Sequence, residues 1–153
     1  MKKIDYPKLV ISVLIPLLVG FSSSFFMNLN WYQTLNKPWF TPPDWVFAPI
    51  WTTLYILMGI SFYLIWINDK KDKNVAILVY GSQLSLNFMW TFVFFGLTSP
   101  MLGMFTISAL LIQIISNIDA FYKIDKTASY LLIPYLIWVC IATILNLSII
   151  LLN

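Results

Sequence analysis

The sequence predicts an all-α integral membrane protein: a five-helix transmembrane bundle with a long ordered loop between its first two spans. Three observations carry that reading. Four stretches hold no charged residue: Leu9 to Asn36, Trp45 to Asn68, Asn74 to Ile118 and Thr127 to Asn153. The chain is 60% hydrophobic and only 10% charged, whereas soluble chains are roughly half apolar and a quarter charged. All nine basic residues are lysines, and eight fall in segments that a five-span topology places on one side.

A span needs about 20 apolar residues, and each run satisfies this in turn. The first gives a helix over about 9–28, with Ser12, Pro16, Gly20 and Ser24 at four-residue spacing. Such a small-residue stripe lets helices approach closely, and packing within the chain is its expected use. The opening residues also admit a cleavable signal peptide, a reading that would delete this span. The loop over 29–44 follows, rich in proline and tryptophan. Its prolines fix backbone dihedrals at little entropic cost, so it is expected to stay ordered without helix or strand and to lie over a cavity mouth as a lid. The second helix covers about 45–67.

The third run has 45 residues, about 67 Å as one straight helix and roughly twice the hydrocarbon thickness. It must fold back, and "FGLTSPMLG" (Phe95 to Gly103) supplies the breakers. Helices over about 75–95 and 101–122 result, with Gly81 and Ser85 again expected to serve close packing. The last run gives a helix over about 128–151, with Pro134 expected to kink it. Residues 1–153 thus form a single transmembrane domain with little chain left over.

Lys2, Lys3, Lys8, Lys70, Lys71, Lys73, Lys123 and Lys126 share one side, and Lys37 alone occupies the other. The positive-inside rule then makes the N-terminus cytoplasmic and the lid and C-terminus external. The basic balance is a topology signal, and nucleic-acid binding is not expected.

The residue inventory narrows the chemistry. Histidine and glutamate are absent, which removes His-based acid–base catalysis, the Ser-His-Asp triad and the usual zinc sites; no metal site is expected. The six aspartates lie at span ends or in loops, whereas proton relays and ion pathways need ionisable groups within spans. What remains inside is aromatic and amide. Gln83, Asn87 and Trp90 share one face of the third span; Trp51, Tyr55 and Met58 share one face of the second. On the fifth, Tyr135, Trp138, Ala142 and Leu145 align. Facing inward together, they would line an apolar cavity with a few polar points, the usual build of a small-molecule site. The competing reading makes the tryptophans headgroup anchors, Trp31, Trp45 and Trp66 above all, and the amides mere ties between helices.

The motifs "WYQTLNKPWFTPP", "PIWTTLY", "GSQLSLNFMWTFVFFG" and "PYLIWVCIATILN" occur in that order, and together they resemble the TspO/MBR family, the bacterial members in particular. The resemblance implies a five-helix fold, homodimeric and in the bacterial cell membrane, that binds protoporphyrin IX, haem and PK11195-type ligands. It implies light-dependent oxidative degradation of the porphyrin, with light and oxygen but no resident cofactor, or else transport or reception of tetrapyrroles without catalysis. By motif, Trp51 and Trp138 match the tryptophans linked with that degradation. Asn87 and Trp90 match cavity positions, Ala142 a small position that affects ligand binding, and Tyr32 the closing loop. Two departures stand out. The chain ends "ATILNLSIILLN" without the Tyr and basic residue of the sterol-recognition pattern, so sterol binding is not carried over. Thr106 stands where many members carry an aspartate.

Overall fold

A computed structural model describes residues 4–153; Lys2 and Lys3 of the lysine count lie outside the described residues. The elements are α1 (Tyr6–Ser24), α2 (Leu29–Thr34), α3 (Asp44–Trp66), α4 (Lys73–Thr91) with a π-helical turn over Phe92–Gly96, α5 (Pro100–Tyr122), α6 (Lys126–Tyr130) and α7 (Ile133–Leu152). Five spans long and apolar enough to cross a membrane emerge: α1, α3, α4 with its π turn, α5, and α6 continued by α7. This is a multi-pass membrane protein of the expected fold class.

Four boundaries differ from the sequence reading, each for a local reason. The first helix stops at Ser24, not near 28. Ser22, Ser23 and Ser24 turn their hydroxyls back onto the carbonyls of Leu18, Val19, Gly20 and Phe21, the competition with helix geometry that short hydroxyl side chains introduce. The lid is not free of secondary structure. The Asn28 side chain accepts from the Trp31 N–H at 3.0 Å and so caps the short helix α2. At the end of α4 the Leu97 N–H reaches back to the Phe92 carbonyl at 2.9 Å, a five-residue closure that widens the last turn. The chain then reverses through Thr98, at φ 50°, before Pro100 opens α5. Finally, Pro134 does more than kink the last span. A proline within a helix gives up the bond to the fourth residue before it and crowds that carbonyl, here Tyr130, and α6 ends at that residue.

Close helix crossings organise the bundle. A Cβ at Gly59 would lie 2.5 Å from Val13 Cα, and one at Gly20 would meet the Tyr55 ring at 2.2 Å; α1 and α3 touch because these residues have no side chain. The stripe on α1 therefore serves packing within the chain. Gly81 differs: no atom lies within 4 Å of its would-be Cβ, so its face of α4 opens outward and does not pack intramolecularly as expected. Elsewhere, buried polar groups tie spans. Ser61 Oγ donates to the Ala128 carbonyl at 2.6 Å, and Asn146 Nδ2 to the Pro100 carbonyl at 2.8 Å.

The bundle has two unlike ends. At one, Lys70 Nζ donates to the Lys123 carbonyl at 2.8 Å, and the Asp5 N–H donates to Tyr63 OH at 3.0 Å. The N-terminal segment and both lysine-bearing loops therefore share this end. At the other, the Asn36 N–H donates to Asn153 Oδ1, and Asn153 Nδ2 returns a bond to the Asn36 carbonyl, both at 3.0 Å. The lid and the end of α7 are clasped together there.

Candidate ligand cavity

A cavity of about 720 Å³ opens inside the lid end of the bundle, within the roughly 300–1,000 Å³ typical of small-molecule sites. Trp51 and Tyr55 of α3 form one wall, Trp90 and Phe95 a second, Trp138 and Ala142 of α7 a third. Residues of α1 from Leu14 to Ser24, Gly20 among them, line the remaining side together with Met27 beyond its end.

Trp51 sits at the aromatic junction. Its ring stacks on Tyr55 at 5.5 Å and 28°, lies 6.4 Å from Trp90, and meets Tyr135 edge-on at 6.2 Å. Offset and edge-on pairs are the favoured geometries of aromatic rings, so the wall is held by its own side chains. Trp90 is fixed further, its Nε1 donating to Asn146 Oδ1 at 3.3 Å. Trp138 packs edge-on against Phe47 at 5.8 Å. Its buried Nε1 has no hydrogen-bond partner among the described residues.

The lid supplies the cover. Tyr32 is buried over Phe95, with ring centroids 5.4 Å apart, and Lys37 Nζ stands 4.6 Å above the Tyr32 ring, within cation–π range. Gln33 Nε2 donates to Asp44 Oδ2 at 2.6 Å, joining α2 to the start of α3 across the rim. Burial, and secondarily the Asp44 carboxylate, push the Tyr32 phenol above its usual value. Trp39, later in the lid, does not line the cavity and is 95% exposed, and Trp45 in the first turn of α3 is 75% exposed. Nor is Trp31 an anchor alone, since it packs on Phe94 at 5.6 Å.

Of the residues singled out from sequence, Tyr32, Trp51, Tyr55, Trp90, Trp138 and Ala142 line the cavity, whereas Gln83 and Asn87 do not. Both amides are buried but reserved. Asn87 Oδ1 accepts from Tyr55 OH at 2.8 Å, and Asn87 Nδ2 donates to Tyr135 OH at 3.1 Å. This Tyr–Asn–Tyr bridge forms a floor under the cavity. Gln83 lies one turn deeper, about 6 Å further along α4, with Met58 fully buried at a comparable depth on α3. Periodicity reported the face correctly and said nothing of depth. Gly20, Gln33, Asp44 and Phe47 were missed as lining residues; Gly20 stood in the small-residue stripe, and the other three flank or occupy the lid motif.

Among the described residues no group of three or more His, Cys, Asp or Glu side chains stands together, and Cys140 is exposed on α7. What the cavity offers is aromatic faces, a few hydrogen-bond groups and a cation at the lid.

The fold and site define a class: a polytopic membrane protein with an aromatic-walled cavity of small-molecule size under a lid loop. Comparison with known proteins gives the particular family. The model of the TspO/MBR family matches residues 12–152. The "Tryptophan-rich protein TspO" of Archaeoglobus fulgidus is 45% identical over 149 residues, covering 95% of this chain and 97% of its own length. The "Tryptophan-rich sensory protein" of Cereibacter sphaeroides is 37% identical over 117 residues, covering 76% and 73%. The human "Translocator protein" is 38% identical over 124 residues, covering 78% and 72%. This chain belongs to the TspO/MBR family.

Proposed function

We propose that this protein binds a tetrapyrrole, protoporphyrin IX above all, in the cavity under the lid and promotes its light-dependent oxidative degradation. The observation that carries the reading is that Trp51 of α3 and Trp138 of α7 both line one ligand-sized volume, with Trp51 stacked on Tyr55. A porphyrin is a flat π-system bearing two carboxylates. Aromatic faces suit the ring, while Lys37 at the rim suits its carboxylates. Cavity walls without histidine hold a metal-free ring more readily than ligated iron, so haem is the weaker of the two tetrapyrroles. PK11195-type ligands, apolar and carbonyl-bearing, fit the same walls.

The excited ring supplies the difficult chemistry, and the protein supplies placement and electronic surroundings. An indole beside it is easily oxidised, so Trp51 and Trp138 act as electron donors or oxygen traps and not as acids or bases. In the cell membrane, the lysine-poor end carrying the lid faces outward by the positive-inside rule. We place the N-terminus in the cytoplasm for the same reason. The protein works as a homodimer in this reading, with the outward face of α4 at Gly81 free to meet a second copy.

Purified protein with protoporphyrin IX, followed by absorbance in light and in darkness, tests the proposal. Loss of the porphyrin band in light with stability in the dark supports it. Saturable binding with no light-dependent loss would leave a receptor or carrier instead, and accumulation in vesicles against a gradient would mark a transporter.

A further inference from the structure

The ligand cavity carries a charge and a hydrogen-bonding bias that its aromatic walls do not explain. Among the described residues that line it, one alone is charged: Asp44, the first residue of α3, exposed at the rim. Its carboxylate accepts from Gln33 Nε2 at 2.6 Å, and no lysine among the described residues pairs with it. Lys37 is engaged elsewhere, 4.6 Å above the Tyr32 ring, and is not itself part of the lining. The rim therefore presents an acid that no ion pair offsets.

The neutral polar groups lean the same way. Six lining residues carry hydroxyls, and five of these spend their proton on the protein. Ser23, Ser24 and Thr52 donate to the Gly20, Phe21 and Ala48 carbonyls at 2.8, 2.7 and 2.8 Å. Thr91 donates to the Asn87 carbonyl at 3.4 Å, and Tyr55 to Asn87 Oδ1 at 2.8 Å. The sixth belongs to Tyr32, whose ring lies under the Lys37 ammonium. A hydroxyl whose proton is committed has only lone pairs left, and an ionised carboxylate has nothing else. The polar edge of the cavity is thus rich in acceptors.

An acid in the first turn of α3 has an ordinary use, since negative charge is favourable at a helix N-terminus. That use does not account for its place in the cavity lining. We propose that Asp44 is a specificity-determining residue, which turns carboxylates away from the α3 side of the rim and favours ligands that are neutral or present N–H donors there. Like charges brought together across an interface discriminate strongly between ligands, and a cleft with low-dielectric walls focuses the field of its one charge. The inference rests on the tetrapyrrole reading of the cavity and deepens it. A porphyrin dianion would enter in one sense, its carboxylates towards Lys37 and away from Asp44.

A pair of ligands alike in shape and unlike in charge tests this: protoporphyrin IX and its dimethyl ester, titrated in darkness into the full chain in a neutral detergent. Asp44→Asn keeps an oxygen for Gln33 and removes the charge. The diacid should bind Asp44→Asn about three- to tenfold more tightly than the parent, with the ester unmoved, and the gain should shrink as salt is raised. Lys37→Gln should weaken the diacid and again spare the ester. An equal shift of diacid and ester in Asp44→Asn, or no shift of the diacid, would overturn the proposal while porphyrin binding itself still stood. If neither porphyrin binds, the tetrapyrrole reading fails instead, and the charge rule is read by the same signs on PK11195 against the corresponding isoquinoline carboxylic acid. Should Asp44→Asn give no folded protein, Asp44→Ser takes its place.

Discussion

The two halves of this bundle use the same materials to opposite ends. Towards the lysine-rich end, Phe62, Tyr80 and Phe121 stack in a continuous pile, at 4.8 and 5.9 Å, and the space between helices is filled. Towards the lid, Trp51, Tyr55 and Trp90 make comparable ring contacts but surround a volume of about 720 Å³. Aromatic content alone therefore does not make a site. Small residues opposite large ones do: Gly20 accepts the Tyr55 ring against α1, and Ala142 stands one turn from Trp138 on the cavity wall. The Asn87 bridge marks the boundary where packing gives way to cavity.

Breaking the packed half should have the largest effect. Gly59→Leu places a side chain where a Cβ alone would lie 2.5 Å from Val13 Cα. The backbone cannot yield as a flexible side chain would, so the loss should exceed the roughly 1–3 kcal/mol of ordinary overpacking. The measurement is the yield of monodisperse protein and its Tm in detergent, expected to fall steeply. Breaking the boundary is next. Tyr135→Phe leaves the Asn87 Nδ2 donor without its acceptor, a cost of about 1–3 kcal/mol for a buried group, read as a lower Tm with the aromatic wall otherwise kept.

Altering the open half should leave stability nearly unchanged and move binding. Ala142→Leu pushes bulk into the ligand volume, and porphyrin affinity should fall by about tenfold or more, equivalent to about 1.4 kcal/mol, while Tm barely shifts. An equal loss of stability would show that Ala142 belongs to the packed half. Lid changes rank below this. Gln33→Ala removes the exposed bond to Asp44, worth about 0.5–1.5 kcal/mol, so ligand dissociation should quicken a few-fold; Pro42→Gly or Pro43→Gly should act in the same direction without unfolding the bundle.

The smallest effect concerns pH. With its phenol pushed up by burial and by Asp44, Tyr32 stays protonated past the ordinary tyrosine range. A raised folded value means that its contribution to lid closure is complete below the unfolded pKa of about 10 and is lost as pH climbs through the folded one. Ultraviolet difference titration of the protein against Tyr32→Phe should show one phenol ionising late.

Much of this architecture was legible in the residues, and the failures share a cause. Charge-free runs and Phe95–Gly103 gave the spans because a bilayer imposes length directly. Trp51, Trp90 and Trp138 were found because helical spacing reports which face a residue occupies. Depth along the helix has no such signal, so spacing groups Gln83 with the ligand-facing residues although it lies below the floor. Partners are equally silent: nothing local to Asn87 reveals that tyrosines from α3 and α7 take both ends of its amide. The short helix α2 had a local signal in Asn28, overshadowed by the prolines that follow. The break at Tyr130 was written in Pro134, whose effect reaches four residues back.

The central claim is that the two cavity tryptophans act on a bound porphyrin and do not merely surround it. Trp51→Phe and Trp138→Phe, singly and together, keep an aromatic wall while removing the oxidisable indole. The decisive measurement is the rate of protoporphyrin loss under constant illumination at matched occupancy, with binding titrated separately. The account predicts affinity within a few-fold of the parent and degradation slowed in each single variant, and most in the double. Unchanged photochemistry in the double variant, with the porphyrin still bound, would contradict it.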